Sequence, residues 1–103
     1  MRYLVCPLII LMLTCAACAS ESDVETGWQL VEEYCSVCHA TGAVGLSPHH
    51  GAPPFRSLHD RFDVDALEEG LVEGLVSGHP DMPEFEFDPI QAQAIISYLK
   101  SLE

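Results

Sequence analysis

Apolar residues recur every three or four positions in three stretches of the chain, and this spacing predicts three amphipathic helices. The first stretch covers residues 27–38, the second covers residues 63–78, and the third begins at Asp88. Gly, Pro, Ser and His are frequent between these stretches, which indicates loops. No stretch alternates apolar and polar residues as a strand would. The pattern therefore predicts an all-α domain of three to four helices.

The third predicted helix has the clearest start signal. Asp88 stands at the N-cap, Pro89 at the first helical position and Gln91 at the third, which is the arrangement of a capping box. The second helix contains Gly70 and Gly74, each of which disfavours a helix by about 1 kcal/mol relative to Ala. We therefore expect a packing reason for them, such as a close approach of the backbone to a neighbouring helix or a bound group.

The amino terminus has the pattern of a targeting segment. A basic residue at position 2, an apolar run at 4–13 and an A-x-A sequence at 17–19 predict a signal peptide at 1–19 and a mature domain at 20–103. We expect an exported, periplasmic protein. Two alternatives stay open: an uncleaved segment, or lipidation at Cys18, would hold the protein at a membrane and give it its membrane contact.

The charge of the chain is strongly negative. It has 4 Lys and Arg against 16 Asp and Glu, a net charge of −12 at pH 7, and loss of Arg2 with the leader changes −12 to −13. Such a balance disfavours nucleic acid and anionic lipid as partners and favours a protein with a basic docking patch. The second predicted helix carries several of the acids, which form either a solvated face or part of a docking surface: Asp65, Glu68, Glu69 and Glu73.

Leader cleavage leaves Cys35 and Cys38 as the cysteines of the mature chain, so no disulfide framework is expected. Together with His39 they form a C-x-x-C-H sequence, the attachment sequence for a covalently bound c-type haem. Two thiols at this spacing can add to the two vinyl groups of one porphyrin, and the adjacent imidazole then faces the iron. A zinc site would need a second ligand pair, and a thioredoxin-like dithiol would need a βαβ unit around it. The sequence contains neither.

The iron also needs a ligand on its other face, and Met82 is the candidate. After leader cleavage it is the only methionine left in the sequence. It lies between Asp81 and Pro83 in a predicted loop, where a core methionine is not expected. Thioether sulfur suits haem iron and raises its potential. The alternative distal ligands are four loop histidines, which are more often solvated side chains: His49, His50, His59 and His79.

The order of these elements resembles the class I cytochrome c family over residues 25–102, nearly the whole mature chain. The resemblance implies a small cytochrome c fold around one covalently attached haem c per chain. It also implies a one-electron carrier between larger redox proteins, not an enzyme, and we expect a monomer. Two other functions stay open: a ligand-binding or sensory haem module, and the electron-entry subunit of a dehydrogenase or oxidase complex.

The resemblance also assigns individual residues. It implies that Cys35, Cys38, His39 and Met82 hold the haem, with His39 and Met82 as iron ligands. Gly27 then lets the first helix cross the last closely, and Tyr98 packs at that crossing. The carbonyl that accepts the hydrogen bond of the His39 imidazole belongs to Pro53, with Pro54 as the alternative.

Several other residues stay without a firm assignment. Arg56 and Arg61 could pair with haem propionates or with surface acids. Phe85 and Phe87 are expected to line the haem, and Trp28 departs from the polar residue that the family often has after the glycine.

Overall fold

The computed structural model describes residues 21–74 and 78–103, so the predicted leader at 1–19 lies outside the described residues. The described chain has three α-helices: α1 (Glu21–Tyr34), α2 (Leu67–Glu73) and α3 (Pro89–Ser101). Two 3-10 helices, Phe55–Asp60 and Val64–Ala66, lie between α1 and α2. Over these residues the fold contains no strand, which confirms the all-α class. None of the helices in this part of the chain is long and apolar enough to cross a membrane.

The first helix starts and ends earlier than predicted. It begins at Glu21 rather than at residue 27, with Glu21 and Asp23 in its first turn, where carboxylates interact favourably with the helix dipole. It ends at Tyr34, so both cysteines lie in the turns that follow and not in the helix itself. These turns still follow the helical path, since the Cys35 N–H donates to the Val31 carbonyl over 2.8 Å.

The helices α1 and α3 form the main packing contact of the described chain, and Gly27 lies at their crossing. Gly27 is buried, and a Cβ atom added to it would collide with the Ala94 carbonyl and lie 2.8 Å from the Tyr98 Cβ. The close crossing implied by the family resemblance, with Tyr98 packed against it, is therefore confirmed.

The core of the described chain surrounds this crossing. Val31 of α1 is fully buried, and α3 contributes most of the remaining apolar surface. The loop before α2 and the segment before α3 complete the core, whose buried members are Val31, Phe55, Leu58, Val64, Phe87, Ala92, Ile95, Ile96, Tyr98 and Leu99.

The second helix is shorter than predicted. The Asp63 carboxylate accepts from the Asp65 N–H over 3.1 Å and thereby caps the 3-10 turn that leads into α2. The predicted end near residue 78 is wrong, because Gly74 has a φ of 102°, a left-handed conformation that ends the helix after Glu73. A Cβ at Gly74 would lie 2.5 Å from the Glu84 Oε1, so its close neighbour is a loop side chain and not a helix.

The third helix begins as predicted. Asp88 Oδ1 accepts from the Gln91 N–H over 2.8 Å, and Gln91 Oε1 accepts from the Asp88 N–H over 3.2 Å, which completes the capping box. Just before it, the Phe87 N–H donates to the Leu71 carbonyl over 2.8 Å. This bond attaches the start of α3 to α2.

We predict that Gly27→Ala lowers the free energy of unfolding by about 1–3 kcal/mol, because the new methyl group forces α1 away from α3. This is the net change: the cost of the displaced helix should exceed the gain of about 1 kcal/mol that alanine brings to a helix. The matched control is Gly42→Ala, where an added Cβ meets nothing within 4 Å, so a change within about 0.5 kcal/mol is expected. Equal denaturation midpoints for the two variants would contradict the prediction.

Candidate functional site

The C-x-x-C-H residues form a tight turn at the end of α1. The Cys35 carbonyl accepts from the Cys38 N–H over 3.2 Å and from the His39 N–H over 2.9 Å. Cys35, Cys38 and His39 are all half-buried, and both cysteines are free thiols. The structure therefore brings the three predicted attachment residues together on one turn.

A hydrogen bond to the backbone fixes the His39 imidazole. Its Nδ1 lies 2.8 Å from the Pro53 carbonyl oxygen, which can only accept, so Nδ1 carries the proton. The lone pair is then on Nε2, the ring nitrogen left for a metal. The Pro54 carbonyl is already used by Ser57, whose N–H and hydroxyl both donate to it over 3.1 Å and 3.0 Å. Pro53 is thus the partner of His39, which decides between the two prolines.

The segment after Pro54 also packs against the imidazole. The Phe55 ring is tilted by 37° against the His39 ring at a centroid distance of 4.7 Å. The Phe55 N–H donates to the Ala40 carbonyl over 2.9 Å. Phe55 therefore packs against the imidazole and limits its rotation in addition to the hydrogen bond with Pro53.

The pKa of the Cys35 thiol argues against a reactive dithiol. Burial, followed by the proximity of Cys38, raises the pKa of the Cys35 thiol to about 11. Reactive and disulfide-exchanging cysteines instead have lowered pKa values, commonly below 7.5 or so. The environment of Cys35 thus weighs against disulfide exchange as the chemistry of this C-x-x-C pair.

A buried polar chain supports the backbone just after His39. The Tyr98 hydroxyl donates to the Thr41 carbonyl, and the Thr41 hydroxyl donates to the Glu32 carboxylate. Tyr98 and Thr41 are both buried. Burial, followed by the charge of Glu32, raises the pKa of Tyr98, so this phenol stays a hydrogen-bond donor through the neutral range.

Met82 is half-buried in the loop between α2 and α3, and its N–H donates to the His79 carbonyl over 3.2 Å. Aromatic contacts connect this loop to the end of α1. The Tyr34 ring meets the edges of Phe85 and Phe87 at centroid distances of 6.0 Å and 5.4 Å. Since Tyr34 directly precedes Cys35 and Phe85 follows Met82 closely, the two candidate segments lie side by side.

A second connection joins the other ends of the same segments. The His49 N–H donates to the Cys38 carbonyl over 3.1 Å, and the His49 Nε2 lies 3.2 Å from Oδ2 of Asp81, the neighbour of Met82. The Met82 loop is thus attached to the C-x-x-C-H turn before and after the methionine.

The remaining predicted candidates lie at the surface. All four histidines proposed as alternative ligands are exposed: His49, His50, His59 and His79. Arg56 donates from Nη1 to the Gly45 carbonyl over 2.7 Å, a partner that the sequence did not suggest. Trp28 is 41% exposed on α1. The described residues contain no group of three or more His, Cys, Asp or Glu that could hold a metal ion by themselves.

Some residues that build the site carried no local signal. Glu32, Thr41 and Ser57 are polar residues without a motif, and their partners become visible only when the helices are packed. Thr41 and Tyr98, for example, are separated by 57 positions in the chain. The sequence signal for a role of Thr41 in the site is its position two residues after His39.

The donor set fits a covalently bound haem. The free thiols of Cys35 and Cys38 belong to one turn, and the His39 imidazole is fixed with Nε2 available for a metal. The Met82 loop, with its thioether and two phenylalanines, is held beside that turn. Cys35 and Cys38 would form the thioether bonds, and His39 would ligate the iron.

Comparison with protein families identifies a match over most of the chain. Residues 22–99 match the family model described as cytochrome c oxidase, cbb3-type, subunit III. The searches of the curated proteins and of the solved structures gave no match.

We predict that Tyr98→Phe lowers the free energy of unfolding by about 1–3 kcal/mol at pH 7, because the buried Thr41 carbonyl loses its donor. The raised pKa of Tyr98 contributes stability below the unfolded value of 10.0, and this contribution is lost as the pH rises toward the folded value. The difference between the two proteins should therefore shrink above pH 10 or so in denaturant titrations. Tyr34→Phe is the control for removal of a phenol hydroxyl. If the loss of unfolding free energy caused by Tyr98→Phe stayed constant from about pH 7 to 11, this account would be contradicted.

Proposed function

This chain belongs to the family of the cytochrome c domain of cbb3-type oxidase subunit III, and on that premise we propose that it is an exported one-electron carrier. Membership implies haem-based electron transfer with a covalently attached haem c. Our proposal adds one haem per chain, His39 and Met82 as axial ligands, and exchange of electrons with larger redox proteins.

The bond between His39 Nδ1 and the Pro53 carbonyl carries the proposal. It fixes the tautomer that leaves Nε2 free, as the hydrogen-bond partners of metal-bound histidines do. A histidine adjacent to two free thiols and fixed in this way presents Nε2 for ligation of a metal held at those thiols.

The proposed role of Met82 follows from the two attachments of its loop. Haem c, when bound, supplies a one-electron couple between ferric and ferrous iron. Met82 would provide the second axial ligand, and a thioether in that place favours the ferrous state. If His39 and Met82 both ligate the iron, no position on the metal would remain for a substrate. We therefore propose a carrier and not an enzyme.

The acidic surface supports a basic protein as the partner. Lys100 pairs with Asp65 over 3.0 Å, while the other acids of this face extend along α2. A surface of this charge attracts a basic patch and speeds the encounter. We propose that the surface formed by Asp65, Glu68, Glu69 and Glu73 contributes to docking.

The family match favours one second candidate. A domain of an oxidase subunit acts inside a complex, so this chain could serve as the electron-entry subunit of an oxidase. Isolation of the protein in a stable complex with an oxidase would support this candidate over a freely diffusing carrier.

We predict that Met82→Ala lowers the midpoint potential by on the order of 0.1 V, a fraction of the range that axial ligands span. The variant should also bind carbon monoxide and azide, because one axial position becomes free. Met82→His should keep six ligands and still lower the potential. Potentiometry and absorption spectra measure both effects.

The control for this experiment is Ile90→Ala, an exposed position on α3 that should change neither property. If Met82→Ala kept the potential and the ligand inertness of the unmutated protein, Met82 would not be a ligand. Binding of carbon monoxide by the unmutated protein would instead favour the ligand-binding or sensory module.

We predict that electron transfer with a basic redox protein slows by about tenfold as the salt concentration rises from 0.01 M to 0.15 M. The Debye length falls over this range from about 30 Å to about 8 Å, which screens the attraction. Stopped-flow rates with an acidic redox protein should rise instead, because screening weakens repulsion.

Two variants of equal charge test the position of the docking surface. Neutralising Glu68, Glu69 and Glu73 to Gln should weaken the salt dependence more than neutralising three exposed acids of α1, Glu21, Glu25 and Glu33. Equal effects of the two variants would show that net charge acts without a localised surface.

A further inference from the structure

His49 is exposed, yet it connects the C-x-x-C-H turn to the Met82 loop. Its backbone N–H donates to the Cys38 carbonyl over 3.1 Å, and its imidazole meets the Asp81 carboxylate, next to Met82, over 3.2 Å. The residue therefore contacts both the segment that attaches the haem and the segment that carries the proposed distal ligand.

The orientation of the His49 ring is set locally. The Gly51 N–H donates to His49 Nδ1 over 3.1 Å, and the Ala52 N–H donates to the His49 carbonyl over 3.1 Å. Because Nδ1 accepts a hydrogen bond, the proton of the neutral imidazole is on Nε2, which faces Asp81. The neutral ring therefore already donates to the carboxylate, and no further protonation is needed for the bond.

We propose that His49 is a positioning residue for Met82, which it holds toward the haem through Asp81. This inference rests on the proposed ligation by Met82. The bond with Asp81 restrains the loop at the residue before the ligand, while the Tyr34 contacts restrain it after the ligand. Without His49 the loop keeps one of these two attachments, and Met82 leaves the iron more readily.

The test measures how easily an added ligand displaces Met82 from the ferric holoprotein. N-methylimidazole at pH 8 is a suitable probe, because a neutral ligand is insensitive to the charge of Asp81. Loss of the sulfur-to-iron charge-transfer band reports the displacement. Exposed pairs of this kind contribute modestly, so His49→Ala and Asp81→Ala should each tighten apparent probe binding by about two- to fivefold.

Two further variants separate positioning from a general effect on the fold. The double variant His49→Ala with Asp81→Ala should bind the probe about as tightly as either single variant, because both remove the same bond. His49→Gln keeps an N–H donor for Asp81. The probe should therefore bind this variant more weakly than His49→Ala and about as weakly as the unmutated protein. The control is His59→Ala, which removes an exposed imidazole 3.5 Å from its neighbour Asp60 within one 3-10 helix and should leave probe binding unchanged.

The outcomes distinguish this role from the proposed function. If the unmutated protein lacked the charge-transfer band, Met82 would not be a ligand, and both the ligation and the role of His49 would be overturned. If the band were present but His49→Ala bound the probe like the unmutated protein, the role of His49 alone would be overturned. Additive effects of the two single variants would overturn it as well, because they would show that His49 and Asp81 act separately.

Discussion

The close crossing of α1 and α3 at Gly27 is the constraint on which the rest of the described structure depends. It lets two helices from opposite ends of the domain share one core, with Val31 on one side and Ile95 and Leu99 on the other. Because α1 ends at Tyr34, this crossing also sets where the C-x-x-C-H turn begins. A side chain at Gly27 would thus move the attachment turn as well as the core.

The loops are held to this frame by contacts between residues distant in sequence. Pro53 holds the His39 ring, and Tyr98 holds the backbone at Thr41. Tyr34 and His49 connect the C-x-x-C-H turn to the Met82 loop. A small domain has a limited core, so a loop that carries a ligand needs such local attachments to keep its position.

The charges are separated from this interior. The proposed iron ligands are half-buried, while most acids are exposed and remain solvated. Glu32 is half-buried instead, and its carboxylate accepts from Thr41 as part of the support behind His39. The two acids nearest the C-x-x-C-H turn and Met82 in these contacts, Glu32 and Asp81, are each hydrogen-bonded.

The sequence by itself determined the all-α class and the start of α3, and it predicted the attachment chemistry, because capping boxes and C-x-x-C-H spacing act over a few residues. It predicted a longer second helix, since an apolar repeat does not reveal that Gly74 adopts a positive φ against Glu84. Only the tertiary structure decided between Pro53 and Pro54, and only it brought Thr41 to Tyr98 and His49 to Asp81. These hydrogen bonds join residues far apart in sequence. A local sequence pattern contains no information about which distant residues come into contact.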